Sequence, residues 1–245
     1  MQTEAPARPS YPKAPQWTAG DFILTVLGGL AGAFVGALLA FGGDMTAVLL
    51  SGLVFQHLGH LGTAWLVARR RGATLSDIGL VVEPIDGLFI FLGIGLQLAL
   101  SIAAIPLAER LQLPGPAQEI TNAIDPGSSV GVQIGLILSV ALLAPIAEEV
   151  MFRGILYQLF EQRRGFRVAV FGSAAVFSAF HLLGLTTENF VAAALITLPQ
   201  LLIVGVVLAN TARRRARLGV SIFIHSGFNL LAVLALLYAS DFIQQ

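Results

Sequence analysis

The sequence predicts an all-α fold, a polytopic membrane helix bundle of about seven transmembrane helices with a cytoplasmic N-terminus. Of the 245 residues, 56% are hydrophobic and only 11% are charged, and the mean hydropathy is +0.82. Soluble domains carry about 25% charged residues. The formal net charge is zero, so no basic field indicates nucleic acid as a partner. The expected surroundings of the chain are the lipid bilayer.

Seven apolar stretches are each long enough to cross a bilayer, which takes about 20 helical residues. The stretches cover roughly residues 22–42, 46–68, 87–107, 130–152, 168–186, 190–210 and 219–239. We expect the fourth helix to continue to about residue 160. The preceding segment, 1–19, is rich in proline and polar residues, which is typical of a flexible tail. One transmembrane domain is therefore expected over residues 20–245.

The positive charges alternate between the two ends of these spans. Of the fourteen Lys and Arg residues, twelve fall in the N-terminal tail and in the second, fourth and sixth connections. The two exceptions are Arg110, at the opposite end, and Arg153, in or beside the fourth span. By the positive-inside rule, this alternation predicts a cytoplasmic N-terminus and an odd number of spans. The short connections favour a prokaryotic cytoplasmic (inner) membrane.

Three charged residues, Glu148, Glu149 and Arg153, lie within six positions of the fourth span. Ionised groups at membrane depth cost roughly 2.5–3.5 kcal/mol each, so they usually mark a functional site. Glu149 and Arg153 are four residues apart on one helix face, which favours an ion pair that supports the site. Glu148 is turned by about 100° from Glu149 and has no partner at good spacing on its own helix. Glu148 is therefore the candidate general base.

All four histidines lie in the predicted spans. From the helical rise, Glu148, His181 and His225 are each expected about 12–20 Å from the arginines at the cytoplasmic end. Asn229 is four residues after His225 and shares its helix face. Matched depth on three helices predicts one polar constellation of Glu148, His181, His225 and Asn229.

Two other features of the first and second spans indicate packing. His57 and His60 are three residues apart beside Gln56 and have no carboxylate neighbour in sequence, so we interpret them as packing residues or as a polar lining rather than as catalytic groups. The glycines of the first span at positions 28, 32 and 36 favour close helix packing within the chain over a dimer interface. The sequence does not specify an oligomeric state.

Three motifs, EExxxR, FxxxH and HxxxN, follow one another along the last four spans. The chain carries them as Glu148-Glu149…Arg153, Phe177…His181 and His225…Asn229. In order and spacing they resemble the CAAX protease and bacteriocin-processing family, also called the Abi family, of intramembrane glutamic proteases, which includes type II CAAX prenyl endopeptidases. The resemblance covers a core of about residues 130–232.

The resemblance implies an intramembrane endopeptidase whose active site opens towards the cytosol. The resemblance further implies that Glu148 activates a water molecule with the help of His181, and that His225 and Asn229 stabilise the oxyanion. The residues that support the site are Glu149, Arg153 and Phe177. The implied substrate is a peptide or protein, with or without a prenyl group, which is cleaved in CAAX-type or related C-terminal or membrane-peptide processing. No cofactor is implied.

Two alternatives stay open. The first is the same reaction with zinc bound by Glu148, His181 and His225, although the chain lacks an HExxH motif and has no cysteine ligands. The second is a non-catalytic bacteriocin-immunity protein or a transporter, because intramembrane Glu, His and Arg also serve as proton relays. No inverted pair of broken helices, which many transporters contain, is visible in the sequence.

Overall fold

The computed structural model describes residues 15–111, 129–185 and 190–243 of the chain. These residues are almost entirely helical and include long apolar helices, which confirms the predicted all-α membrane bundle. The predicted flexible tail, 1–19, lies outside the described residues as far as residue 14.

Each of the seven predicted spans falls on a helix of the described residues. The first three helices are α1 (Ala19–Leu39), α2 (Met45–Arg70) and α3 (Ile90–Arg110), and a 3₁₀ segment (Pro84–Phe89) leads into α3. The fourth, α4, covers residues 130–157, and α5 (Gln158–Phe180) continues from it and ends in a second 3₁₀ segment (His181–Gly184). The last two helices are α6 (Phe190–Arg215) and α7 (Gly219–Ile243).

By length and composition alone, five helical stretches of the described chain can cross a membrane. Two features account for the difference from seven. α2 is not among the five, and its polar residues include Gln56, His57 and His60. α4 and α5 count as one stretch, which breaks at Gly165 with φ 78° and ψ 174°. Glycine adopts this positive φ at no steric cost, so residue 165 separates the fourth span from the fifth.

Small residues join α1 to α2. A Cβ atom at Gly28, Gly32 or Gly36 would overlap atoms of α2. Ser51 Oγ in α2 also donates a hydrogen bond of 2.8 Å to the Gly36 carbonyl. The spaced glycines therefore serve helix packing within the chain, as the sequence predicts.

α4 lies at the centre of the bundle and contacts α2, α5, α6 and α7. Within it, two π-helical segments, Ser139–Leu143 and Val150–Tyr157, flank a short α-helical piece, Ala144–Glu149. Every residue of the second π-helical segment is buried. π-Helical turns are rare and frequently occur at functional sites. In this chain they lie on both sides of Glu148.

The arginine-rich connections gather at one end of the bundle, where ion pairs join several helices. The pairs are Arg71–Asp21 (2.8 Å), Arg213–Glu161 (3.3 Å) and Arg217–Asp86 (2.6 Å). They tie the start of α1 to the end of α2, α5 to the end of α6, and the 3₁₀ segment before α3 to the connection before α7. This end therefore collects the connections that the charge alternation places on one side.

Residues 15–18, the described end of the predicted tail, belong to the folded body. Trp17 is buried, and its Nε1 donates a hydrogen bond of 3.0 Å to Gln158 Oε1. Gln162 Nε2 donates to the Pro15 carbonyl at 2.8 Å. Burial of the large indole ring, with its N–H satisfied, stabilises this attachment.

Candidate active site

Glu149 and Arg153 form a fully buried ion pair inside α4. Arg153 Nη1 lies 2.9 Å from Glu149 Oε1. Arg153 Nη2 also donates to the carbonyl of Gly205 in α6, at 3.3 Å. A Cβ atom at Gly205 would press on the backbone of Ala174 in α5, so this glycine allows α6 to approach closely. A buried charge needs such partners, because removing one member of a buried pair costs about 3–5 kcal/mol.

Phe177 packs against Arg153 of this ion pair and against the two histidines. Its ring is fully buried, and the Arg153 guanidinium carbon is 4.5 Å from the ring centroid. The ring centroids of His181 and His225 are 4.7 Å and 5.6 Å away, both edge to face. Phe177 of α5 therefore contacts the arginine of α4 and both imidazoles.

Glu148 faces the same two histidines from the other side. Its Oε2 atom lies 3.6 Å from His225 Nε2 and 4.0 Å from His181 Nε2. The side chains of Glu148 and His181 are 16% and 24% exposed, whereas that of His225 is 2% exposed. α4, the end of α5 and α7 thus bring together the three groups that the motifs single out, and the site is partly accessible.

Fixed oxygen acceptors orient both imidazoles. His181 Nδ1 lies 2.8 Å from the Phe177 carbonyl oxygen, and His225 Nδ1 lies 3.3 Å from Glu149 Oε1. A carbonyl or carboxylate oxygen accepts hydrogen bonds and cannot donate them, so we assign a proton to each Nδ1. In the neutral rings, the Nε2 lone pairs of His181 and His225 then point to the Glu148 side. Three acceptor atoms converge on one position.

Asn229 follows His225 by one turn of α7. Its Nδ2 donates a hydrogen bond of 2.9 Å to the carbonyl of Val140, in the first π-helical segment of α4. The amide has a second N–H and a carbonyl oxygen for other partners. α7 therefore places Asn229 against α4, beside the histidine that the sequence predicts as its neighbour.

Glu148, His181 and His225 are residue types that bind metal ions, but the distances between their side chains do not match those of a tetrahedral zinc site. Within the described ranges, no group of three or more His, Asp or Glu side chains is placed to hold a metal ion. The separations of 3.6 Å and 4.0 Å exceed the roughly 3.3–3.4 Å between ligands of a tetrahedral zinc with bonds of about 2.0–2.1 Å. Both imidazoles nevertheless donate their other N–H to an oxygen, as metal-binding histidines usually do.

Two residues of α2 that interact electrostatically with Glu148, His57 and His60, are absent from the constellation that the sequence predicts. His57 of α2 is buried, and it interacts electrostatically with Glu148 and His225. The available signal was a pair of histidines beside Gln56 inside an apolar helix. Sequence spacing alone could not show which helix α2 packs against.

Comparisons with known proteins agree with the motifs. Residues 131–231 match the family model described as type II CAAX prenyl endopeptidase Rce1-like. No curated protein and no solved structure matches the chain. The matched segment contains all three motifs and runs from α4 into α7, which confirms the resemblance predicted from those residues. Over residues 131–231, the chain is therefore similar to the Rce1-like type II CAAX prenyl endopeptidases, which are membrane proteases.

Proposed function

We propose that this chain is an intramembrane endopeptidase in which Glu148 activates the water molecule that cleaves a peptide bond. The observation that carries the proposal is the convergence of Glu148 Oε2 with His181 Nε2 and His225 Nε2 at 4.0 Å and 3.6 Å. The side chains of Glu148 and His181 are partly exposed, and the Glu148 Oε2 atom itself is buried. The family match supports CAAX-type endopeptidase function in general.

In the proposed reaction, a water molecule bound by Glu148 and His181 gives one proton to the Glu148 carboxylate. The resulting hydroxide attacks the carbonyl carbon of the peptide bond. When the C–N bond breaks, Glu148 returns the proton to the leaving nitrogen, so the products are a carboxylic acid and an amine. No Ser or Cys nucleophile takes part.

The negative charge that develops on the carbonyl oxygen needs hydrogen-bond donors. Removing one such donor typically costs about 10²–10³ in rate. Asn229 offers the amide N–H that Val140 does not use. His225 offers an Nε2–H in its protonated form, because Nδ1 already donates to Glu149. Glu149, Arg153 and Phe177 hold these groups in position.

A cleavage assay with a matched control tests the role of Glu148. Wild-type protein in detergent is incubated with a farnesylated CAAX peptide, and the products are identified by mass spectrometry. We expect Glu148→Gln to lower the cleavage rate by about 10²–10⁴, the range for general-base catalysis. Glu161→Gln is the control, because Glu161 pairs with Arg213 at the arginine-rich end. Undiminished cleavage by folded Glu148→Gln protein would contradict the proposal.

The zinc-dependent version of the reaction is the second candidate, and the orientation of both imidazoles through Nδ1 favours it. The metal content of active purified protein decides between the two. Stoichiometric zinc, with activity lost on its removal and regained on its return, would support the metal. Full activity in metal-free protein would support the glutamate mechanism without a cofactor.

The substrate class is tested with paired peptides. The farnesylated CAAX peptide is compared with the same peptide without the prenyl group and with a library of membrane peptides. Cleavage of the farnesylated form alone would assign a prenylated substrate. Absence of any cleavage, together with proton flux in proteoliposomes that is lost on Glu148→Gln, would favour the transporter alternative.

We further propose that the chain resides in a prokaryotic cytoplasmic membrane with its site open to the cytosol. The clustering of the arginine-bearing connections at one end supports this orientation. The chain has no cysteine, so a single cysteine introduced at the exposed position 214 shows on which side of the membrane the arginine-rich end lies. A membrane-impermeant maleimide should label Arg214→Cys in inverted vesicles and leave it unlabelled in intact spheroplasts. The opposite pattern would reverse the topology.

A further inference from the structure

A histidine of α2, outside the segment that matches the family, lacks hydrogen-bond partners. His57 is 3% exposed, and within the described part of the chain no group hydrogen-bonds to either of its ring nitrogens. Buried polar groups are nearly always hydrogen-bonded, and each exception requires an explanation. The imidazole of His57 therefore calls for a partner other than the described residues of the chain.

The position of His57 indicates where that partner binds. His57 lies close enough to Glu148 and His225 for an electrostatic interaction with both. Glu148 is on α4 and His225 is on α7, and α2 contacts both π-helical segments of α4. His57 therefore contributes a side chain from a further helix to the surroundings of the proposed catalytic group.

The neighbouring histidine of α2 has a different environment. His60 packs against α1, where a Cβ atom at Gly29 would overlap its Nε2 and Cδ2 atoms. Its ring centroid is 6.1 Å from that of His57. His60 also interacts electrostatically with Glu148, and no described residue hydrogen-bonds its Nδ1. It differs from His57 in that its Nε2 edge packs closely against α1. His60 is therefore a matched control for His57.

We propose that His57 hydrogen-bonds the backbone of the bound peptide and is a further catalytic residue of the site. The proposal rests on the proposed endopeptidase function. A neutral imidazole has one N–H donor and one nitrogen acceptor, and a peptide group has one N–H and one C=O. His181 and His225 each use Nδ1 on a fixed oxygen of the chain. Both nitrogens of His57, by contrast, are buried and form no hydrogen bond with a described residue.

Peptide binding in the Glu148→Gln protein tests the role of His57 without consuming the substrate. A fluorescent farnesylated CAAX peptide and its unprenylated counterpart are titrated into Glu148→Gln protein that carries, in turn, His57→Leu, His57→Gln and His60→Leu. We expect His57→Leu to weaken binding roughly 3- to 10-fold, the effect of one hydrogen bond. His57→Gln should restore most of the affinity, because its amide both donates and accepts. His60→Leu should bind as the parent does.

Thermal unfolding of the peptide-free proteins gives a second readout. Because no described residue hydrogen-bonds His57, His57→Leu should leave the midpoint temperature of unfolding unchanged or raise it, whereas a purely structural role requires a lower midpoint temperature. Equal affinity of His57→Leu and its parent would overturn the proposal, as would an equal loss in His60→Leu or no peptide binding by the parent. A different result would contradict the proposed endopeptidase function itself: unchanged cleavage by the Glu148→Gln protein.

Discussion

Glu149 Oε1 lies 3.3 Å from His225 Nδ1, so the second glutamate of the EE pair contacts an imidazole from α7. The same oxygen lies 2.9 Å from Arg153 Nη1. Glu149 therefore does more than compensate the arginine of its own helix. It determines which nitrogen of His225 carries the proton and leaves Nε2 facing Glu148, 3.6 Å away.

Substitutions can distinguish the contact of Glu149 with Arg153, which we expect to affect stability, from its contact with His225, which we expect to affect activity. We expect Glu149→Leu to lower the free energy of unfolding by about 3–5 kcal/mol, because the buried Arg153 loses its carboxylate. The double substitution Glu149→Leu/Arg153→Met should regain most of this stability and remain inactive, since His225 Nδ1 still lacks its acceptor. Unfolding in detergent and the cleavage assay measure the two effects. Activity in the double variant would contradict the positioning role of Glu149.

Replacement of Phe177 should lower the cleavage rate more than the loss of side-chain volume alone would explain. Phe177→Leu removes the ring that lies 4.5 Å from the Arg153 guanidinium and 4.7 Å from the His181 ring. We expect about a 10²-fold loss of cleavage from misplaced groups, with a stability loss of about 1–2 kcal/mol. Phe171→Leu on the same helix is the control, because Phe171 is 61% exposed. Equal activity of both variants would argue against Phe177 as a supporting residue.

The hydrogen bond from Asn229 to the Val140 carbonyl predicts an order of stability among variants at position 229. Asn229→Ala leaves the Val140 carbonyl without this donor, which costs about 1–3 kcal/mol of stability. Asn229→Asp should be less stable still, because an ionised oxygen faces that carbonyl. Both should lower cleavage about 10²–10³-fold if Asn229 binds the oxyanion. Chemical denaturation ranks the stabilities, and an Asp variant as stable as wild type would contradict the contact.

Two glycines of α3 test how tightly this helix holds α7. A Cβ atom at Gly93 would overlap the backbone of Ile224 and Phe228, which flank His225. We expect Gly93→Ala to lower stability by about 1–3 kcal/mol and to lower cleavage by displacing α7. Gly95→Ala meets no atom within 4 Å, so it should raise stability by about 0.5–1 kcal/mol. If Gly93→Ala and Gly95→Ala changed the free energy of unfolding equally, α3 and α7 would not pack closely at Gly93.

The sequence by itself determined the membrane class, the approximate spans and the order of the motifs. Each of these depends on local composition or on spacing within one helix. The pairing of Glu149 with Arg153 followed from a separation of four residues, and the packing of Gly28, Gly32 and Gly36 followed from the same periodicity. Charges inside apolar stretches marked the site because the bilayer makes them costly.

Only the tertiary structure decided which of these residues meet across helices. It brought His225 against both glutamates, joined Asn229 to the Val140 carbonyl, and placed His57 and His60 within electrostatic range of Glu148, with His60 packed on α1. The π-helical segments of α4 also had no sequence signal that predicted them. These features depend on how closely distant helices approach, which small residues and buried ion pairs from separate parts of the chain set together.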